Sequence, residues 1–235
     1  MPRLFSFLGA LCASVNSAFS FSSRSRRGCV VFLLLCLASG SSGQGARQQQ
    51  WNFDSDTVGG LARGFSSGSG EWKVAANPNA KSRPNGFAQM AKNPGPVYNV
   101  ALADATSFQD LDLSVELFPL AGEVDQGGGV VWRARDAENY YIARYNPLEK
   151  NFRVYKVVAG KRTQLATESF FFGDGGWHTV RITMRGSTIE CYLDGKKYLT
   201  ASDATFPDAG KIGLWTKADA QTLFDNLTVS ALGSN

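Results

Sequence analysis

The sequence predicts an all-β fold, a jelly-roll sandwich of two antiparallel sheets, and three observations carry that prediction. Apolar and polar residues alternate with a period of two in at least five segments, which gives each segment one dry side and one polar side. Turn signals recur every 8 to 12 residues. No stretch of ten or more residues holds a convincing helical stripe.

In chain order, the first alternating segment sets Leu111, Leu113, Val115 and Leu117 against Asp112, Ser114 and Glu116. The next sets Val130, Trp132 and Ala134 against Val131, Arg133 and Arg135, and the strand after it continues the pattern. Trp132 and Tyr141 are expected inward there, with Arg133, Arg135, Tyr140 and Arg144 sharing the other side. Phe152 and Val154 alternate with Arg153 and Tyr155, then Val180, Ile182 and Met184 with Arg181, Thr183 and Arg185. Ile189, Cys191 and Leu193 alternate with Thr188, Glu190 and Tyr192. Asp194-Gly195 is a two-residue hairpin signal, because glycine supplies the positive φ of a primed turn. Asn146-Pro147 and Ala159-Gly160 mark two further reversals. Residues 64–71 (GFSSGSGE) and 76–86 (ANPNAKSRPNG) read as loops. The sum is one β-sandwich over residues 48–232, with 12 to 14 strands.

Residues 1–45 read as a signal or export segment. Residues 1–46 hold no Asp or Glu and four Arg, and the apolar run GCVVFLLLCLA follows Arg24, Arg26 and Arg27. That run is shorter than the roughly 20 residues a membrane-spanning helix needs. The expected location is therefore secreted or periplasmic, with no membrane span once the signal is removed. All 20 acidic residues follow position 46, as do 20 of the 24 basic ones, so the mature chain is neutral and the net charge of +4 belongs to the leader. A neutral domain lacks the field that gathers nucleic acid, so nucleic acid is not an expected partner. Cys12, Cys29 and Cys36 leave with the leader, so Cys191 stays alone and no intrachain disulfide forms.

The segments WNFDSDTVGGLARGF, GEWKV, DQGGGVVWRARDAENYYIARYNPLEKNFRVYKVVAGKR, GWHTVRI, YLDGKKY and DATFPDAGKIGLWTKADAQTLFDNLTV resemble the bacterial 3-keto-disaccharide hydrolase domain family, of the concanavalin A-like lectin/glucanase class. The resemblance runs from Trp51 to Val229. It implies a two-sheet jelly roll whose first strand (Phe53, Asp54) lies beside its last (Phe224, Asp225), and a glycan-related role. Members credited with hydrolysis carry extra loops and a histidine beside the penultimate hairpin. Here Cys191 stands about where that histidine would be, a departure that bears on catalysis more than on fold.

The residues themselves narrow the chemistry. His178 is the only histidine, too few for a histidine-based metal cluster, and it sits where a strand begins, so a strand residue with a polar neighbour is its simplest account. Gly127, Gly128 and Gly129 precede a strand rather than a helix, so they are no phosphate cradle. Glycosidases need two carboxyl groups about 5.5 Å apart for retention and up to about 9.5 Å for inversion. Glu123-Val124-Asp125 begins an E-x-D-x-E pattern, but Gly127 breaks it. The remaining candidate acids are Asp136, Glu138 and Glu149 in turns and Glu190 on a strand. For Glu190 a cross-strand ion pair is the simpler account.

Sugars are held by aromatic faces and by planar polar groups that reach two hydroxyls. Arg133, Arg135, Tyr140, Arg144, Asn146, Arg153 and Tyr155 form an expected substrate-binding face, with Lys217 and Asp219 rimming a cleft. The competing account is an ordinary wet sheet face covered by arginine stems. A structural calcium ion is the one cofactor with candidate ligands, Asp54 and Asp225, against the simpler account that both bond turn amides. The expected partner is a glycan or oligosaccharide. Glycan binding leads, with a glycoside hydrolase of the 3-keto-disaccharide type and a protein-interaction module as alternatives.

Overall fold

The structure, a computed structural model, describes residues 48–170 and 174–233. The export segment expected over residues 1–45 lies outside them. Fifteen strands, numbered in chain order, and no helix make up the described residues. Sheet A runs β13 (Lys196–Ser202), β12 (Thr188–Leu193), β11 (His178–Arg185), β6 (Leu111–Ala121), β15 (Gln221–Ala231), β4 (Asn85–Gln89) and β3 (Trp72–Ala76), and β1 (Gln48–Trp51) also pairs with β15. Sheet B runs β10 (Lys161–Ser169), β9 (Asn151–Val158), β8 (Asn139–Asn146), β7 (Gly128–Asp136), β14 (Lys211–Lys217), β5 (Tyr98–Ala103) and β2 (Phe65–Ser69). The fold is the all-β sandwich the alternation predicts, with one strand more than the expected upper bound.

Period-two alternation places the core. Leu113, Val115 and Leu117 of β6 stand opposite Ile182, Val180 and His178 of β11, and the apolar members project between the sheets. Sheet B answers with Val130, Trp132, Tyr141, Ala143, Phe152 and Val154. Trp132 stacks on Tyr141 at 5.5 Å, and its indole N–H reaches Met184 Sδ of sheet A at 3.1 Å. Fully burying such a side chain contributes about 1.5–3 kcal/mol, so this core needs no disulfide. Cys191 is a fully buried member of it, and burial pushes its thiol pKa up.

Three expectations change. Residues Phe65–Ser69, read as loop, form β2, which supplies the edge next to β5 while Phe65 drops into the core. Serine and glycine carry little strand preference of their own, so the pairing partner decides this segment. The expected contact of the first and last strands exists but is displaced. β1 pairs Trp51 with Leu227, and Phe53 turns away with φ 61°. Finally, β7 is bulged between Trp132 and Asp136, where Arg133 takes φ 46°. A bulge re-aims a side chain relative to its strand, and this one decides which arginines reach the candidate site.

Candidate functional site

The side of sheet B away from the core carries the candidate site. On β8, Tyr140, Ile142, Arg144 and Asn146 stand opposite Val157, Tyr155, Arg153 and Asn151 of β9, so these eight residues share one face. Val131 of β7, Trp215 of β14 and Val100 and Leu102 of β5 extend it into a second apolar cluster. Tyr140 is 0 % exposed, Arg144 1 %, Trp215 1 % and Tyr155 4 %, so this face is dry rather than wet. The indole N–H of Trp215 donates to Tyr140 Oη at 3.2 Å. The half-buried Arg162 of β10 lays its guanidinium over the rings of Tyr155, Tyr98 and Trp215, at 4.3, 5.4 and 5.9 Å.

Charged residues close one end of this face. Arg144 Nη2 donates to Glu149 Oε2 at 2.8 Å, and Arg153 Nη1 and Asn151 Nδ2 donate to the same oxygen at 3.2 and 3.1 Å. Asp125, 1 % exposed, accepts from Asn146 Nδ2 at 2.7 Å and from Lys217 Nζ at 3.1 Å. Asp219 braces the loop beneath by accepting the backbone N–H groups of Glu123, Val124 and Asp125. Burial acts to raise both carboxyl groups, and it wins at Asp125, whose pKa is pushed up against the charges of Arg144 and Lys217. At Glu149 burial loses to the hydrogen bond and charge of Arg144, which hold the carboxyl at about 2. Two acids on one face thus have pKa values driven apart.

The unpartnered atoms are equally informative. Arg144 Nε and Nη1, Arg162 Nη1 and Asn151 Oδ1 are buried side-chain atoms without a hydrogen-bond partner, and all of them belong to this face. Native interiors pair such groups in the great majority of cases, so a cluster of exceptions requires an explanation.

The expected site residues divide into two groups. Tyr140, Arg144, Asn146, Glu149, Arg153, Tyr155, Lys217 and Asp219 converge on the face or its charged end. Arg133 does not, because the bulge turns it to Gln109 O at 2.7 Å, Phe206 O at 2.9 Å and Asp110 Oδ1 at 3.1 Å. Arg135 lies over the Phe206 ring, 3.6 Å from Asp208. Asp136 caps the β7–β8 turn by accepting from the Glu138 N–H at 2.7 Å, and Glu138 is in that same turn. Both stand at the far end of β8 from Glu149, roughly 25 Å away at about 3.3 Å per residue, too far to pair with it. Glu190 lies on sheet A and pairs with Lys197 of the neighbouring strand at 2.8 Å, a cross-strand ion pair. Asp125, Asn151, Arg162 and Trp215 are additions that sequence reasoning did not place in the site. The broken acidic pattern at Glu123-Val124-Asp125 was the one available signal.

The expected calcium ligands are already engaged. Asp225 accepts from the Ser82 N–H and O–H, both at 2.8 Å, and Asp54 accepts from the Asn85 N–H at 3.1 Å. Calcium takes six to eight oxygens, and no group of three or more His, Cys, Asp or Glu residues suited to a metal occurs among the described residues. His178 sits at a small cavity of about 140 Å³, its Nδ1 2.8 Å from Asp194 and its Nε2 3.2 Å from Asp174.

A family model described as a 3-keto-alpha-glucoside-1,2-lyase-like domain matches residues 59–230. No curated protein matches the chain. Among solved structures, the carbohydrate binding module CBM66 from Bacillus subtilis is similar at 20% identity and TM-score 0.61, over 71% of this chain and 95% of that one. A mutant of the GH43 protein BlXynB from Bacillus licheniformis is similar at 15% identity and TM-score 0.58, over 78% of this chain but only 39% of that one. A protein of unknown function with a galectin-like fold from Bacillus subtilis is similar at 9% identity and TM-score 0.57, over 77% and 94%. At these identities the likeness is one of fold.

Proposed function

Because the chain belongs to the family of 3-keto-alpha-glucoside-1,2-lyase-like domains, we propose that it is an exported carbohydrate-binding domain whose glycan site is the outer face of sheet B. The observation that carries this reading is the set of buried, unpartnered donors and acceptors on Arg144, Arg162 and Asn151 beside the rings of Tyr155 and Trp215. A sugar presents hydroxyl groups around an apolar C–H surface, so it answers both halves of that face at once. Arg162 lies over the Tyr155 ring with its guanidinium 4.3 Å from the ring centre, so a sugar stacked on that ring would take the place of the guanidinium. The carbohydrate binding module CBM66 shares the fold, which supports the reading without fixing the ligand. Export rests on the basic and apolar leader, and no helix among the described residues is long and apolar enough to cross a membrane.

Turnover of a 3-keto glycoside is a second reading, favoured by the divergent acids Asp125 and Glu149. In a 1,2-elimination a base takes the C2 proton beside the keto group, the electron pair forms a C1–C2 double bond, and the C1 oxygen leaves with a proton. Asp125 is the more basic acid, and Arg144 holds the free N–H groups suited to the developing oxyanion. A glycan array, run with release assays on ordinary and 3-keto glycosides, separates the two readings. Binding without release supports the first, release of the aglycone supports the second, and silence in both removes the sugar site.

A further inference from the structure

Two large aromatic residues stand apart from everything described so far. Phe118 and Trp177 are only half-buried and belong to neither apolar cluster, so the core does not account for them. Their rings lie 5.5 Å apart at the outer side of sheet A, where Phe118 alternates outward from the core residue Leu117 of β6. With Asn79, Lys81 and Arg83 they line an open cavity of about 460 Å³ that carries no acid in its lining.

The loop between β3 and β4 that supplies these cations is held in place. Ser82 is clamped to the buried Asp225 by its N–H and its O–H, both at 2.8 Å, and its O–H also lies 3.1 Å from Asn52 O. The Trp177 indole N–H donates to Asn79 O at 2.8 Å, which ties the ring to the same loop. Lys81 Nζ sits 6.0 Å from the Trp177 ring centre. Its ion pair with Glu116 is long, at 3.6 Å, and Arg83 has no ion-pair partner among the described residues. Preorganised aromatic surface flanked by two exposed cations is complementary to a sugar that carries a carboxylate. The rings take the C–H face and the cations take the charge.

We propose that Phe118, Trp177, Lys81 and Arg83 form a second saccharide site, selective for uronate-containing oligosaccharides. It is separate from the face on sheet B, and its Asp225 clamp is a loop anchor. Titration of the full chain with trigalacturonic acid, and with neutral cellotriose as the comparison, tests it by calorimetry. The expected result is binding of trigalacturonic acid that weakens at least tenfold in Trp177→Ala and in the Lys81→Gln/Arg83→Gln double variant. It should also weaken as salt rises and persist in Arg144→Gln, which separates this site from the one on sheet B. Should Trp177→Ala fail to fold, the double variant decides alone. No binding of trigalacturonic acid, equal binding of cellotriose at this site, or affinity unchanged in the double variant would overturn the proposal.

Discussion

Arg144 and Glu149 show how a single pair sets the character of the site. Burial opposes both charges, yet the hydrogen bond between them and the nearby Asn151 and Arg153 keep Glu149 ionised, with a carboxyl held at about 2. A carboxylate whose folded pKa is depressed stabilises the fold above its unfolded value, near 4.5, and loses that contribution as pH falls toward 2. Thermal melts from pH 7 to pH 2 should therefore show a steep loss of Tm below pH 4.5, and Glu149→Gln should flatten that limb. Cys191 makes the opposite case. Its thiol is buried and its pKa is raised, so the native protein at pH 8 should resist a thiol reagent that labels it at once in guanidinium chloride. A residue so enclosed has no access to substrate, which separates it from a histidine acting at that position.

Among the elements, β7 and β8 carry the main lesson about what a sequence discloses. Alternation alone put Tyr140 and Arg144 on one face of β8 and Arg153 and Tyr155 on the matching face of β9, and the register confirms that geometry. It could not place Arg133, because the bulge at φ 46° is a local backbone event that no hydrophobic pattern records. Arg133→Met should consequently cost about 1–3 kcal/mol in chemical denaturation, because Gln109 O and Phe206 O lose their donor while the partly exposed Asp110 keeps water. Glycan affinity per folded molecule should be unchanged. The dryness of the face was also hidden. Val131, Ile142, Val157 and Trp215 make sheet B apolar on both sides, so an outward-facing arginine does not imply a wet one. Asp125, Asn151, Arg162 and Trp215 reach the site through strand order, which brings together segments about 90 residues apart and is written in no single stretch. β2 escaped for a related reason, since its Ser and Gly residues become a strand only where β5 offers an unpaired edge.

For the whole molecule, the sandwich separates stability from recognition. The inter-sheet core accounts for folding, while the outer face of sheet B and the aromatic pair on sheet A are left for ligands. Asp54 and Asp225 already accept hydrogen bonds from Asn85 and Ser82, so addition of a chelator should leave Tm unchanged, and a drop of several degrees would show a structural ion. The most direct test concerns the sheet B site. Calorimetry of wild type, Arg144→Gln and Tyr155→Ala against the best ligand from a glycan array should show a loss of about ten- to a hundredfold in each variant, since hydrogen bonds to charged groups are worth about 1.5–3 kcal/mol. Circular dichroism should show both variants folded. Undiminished affinity in both folded variants would contradict the account, because the ligand would then be held elsewhere.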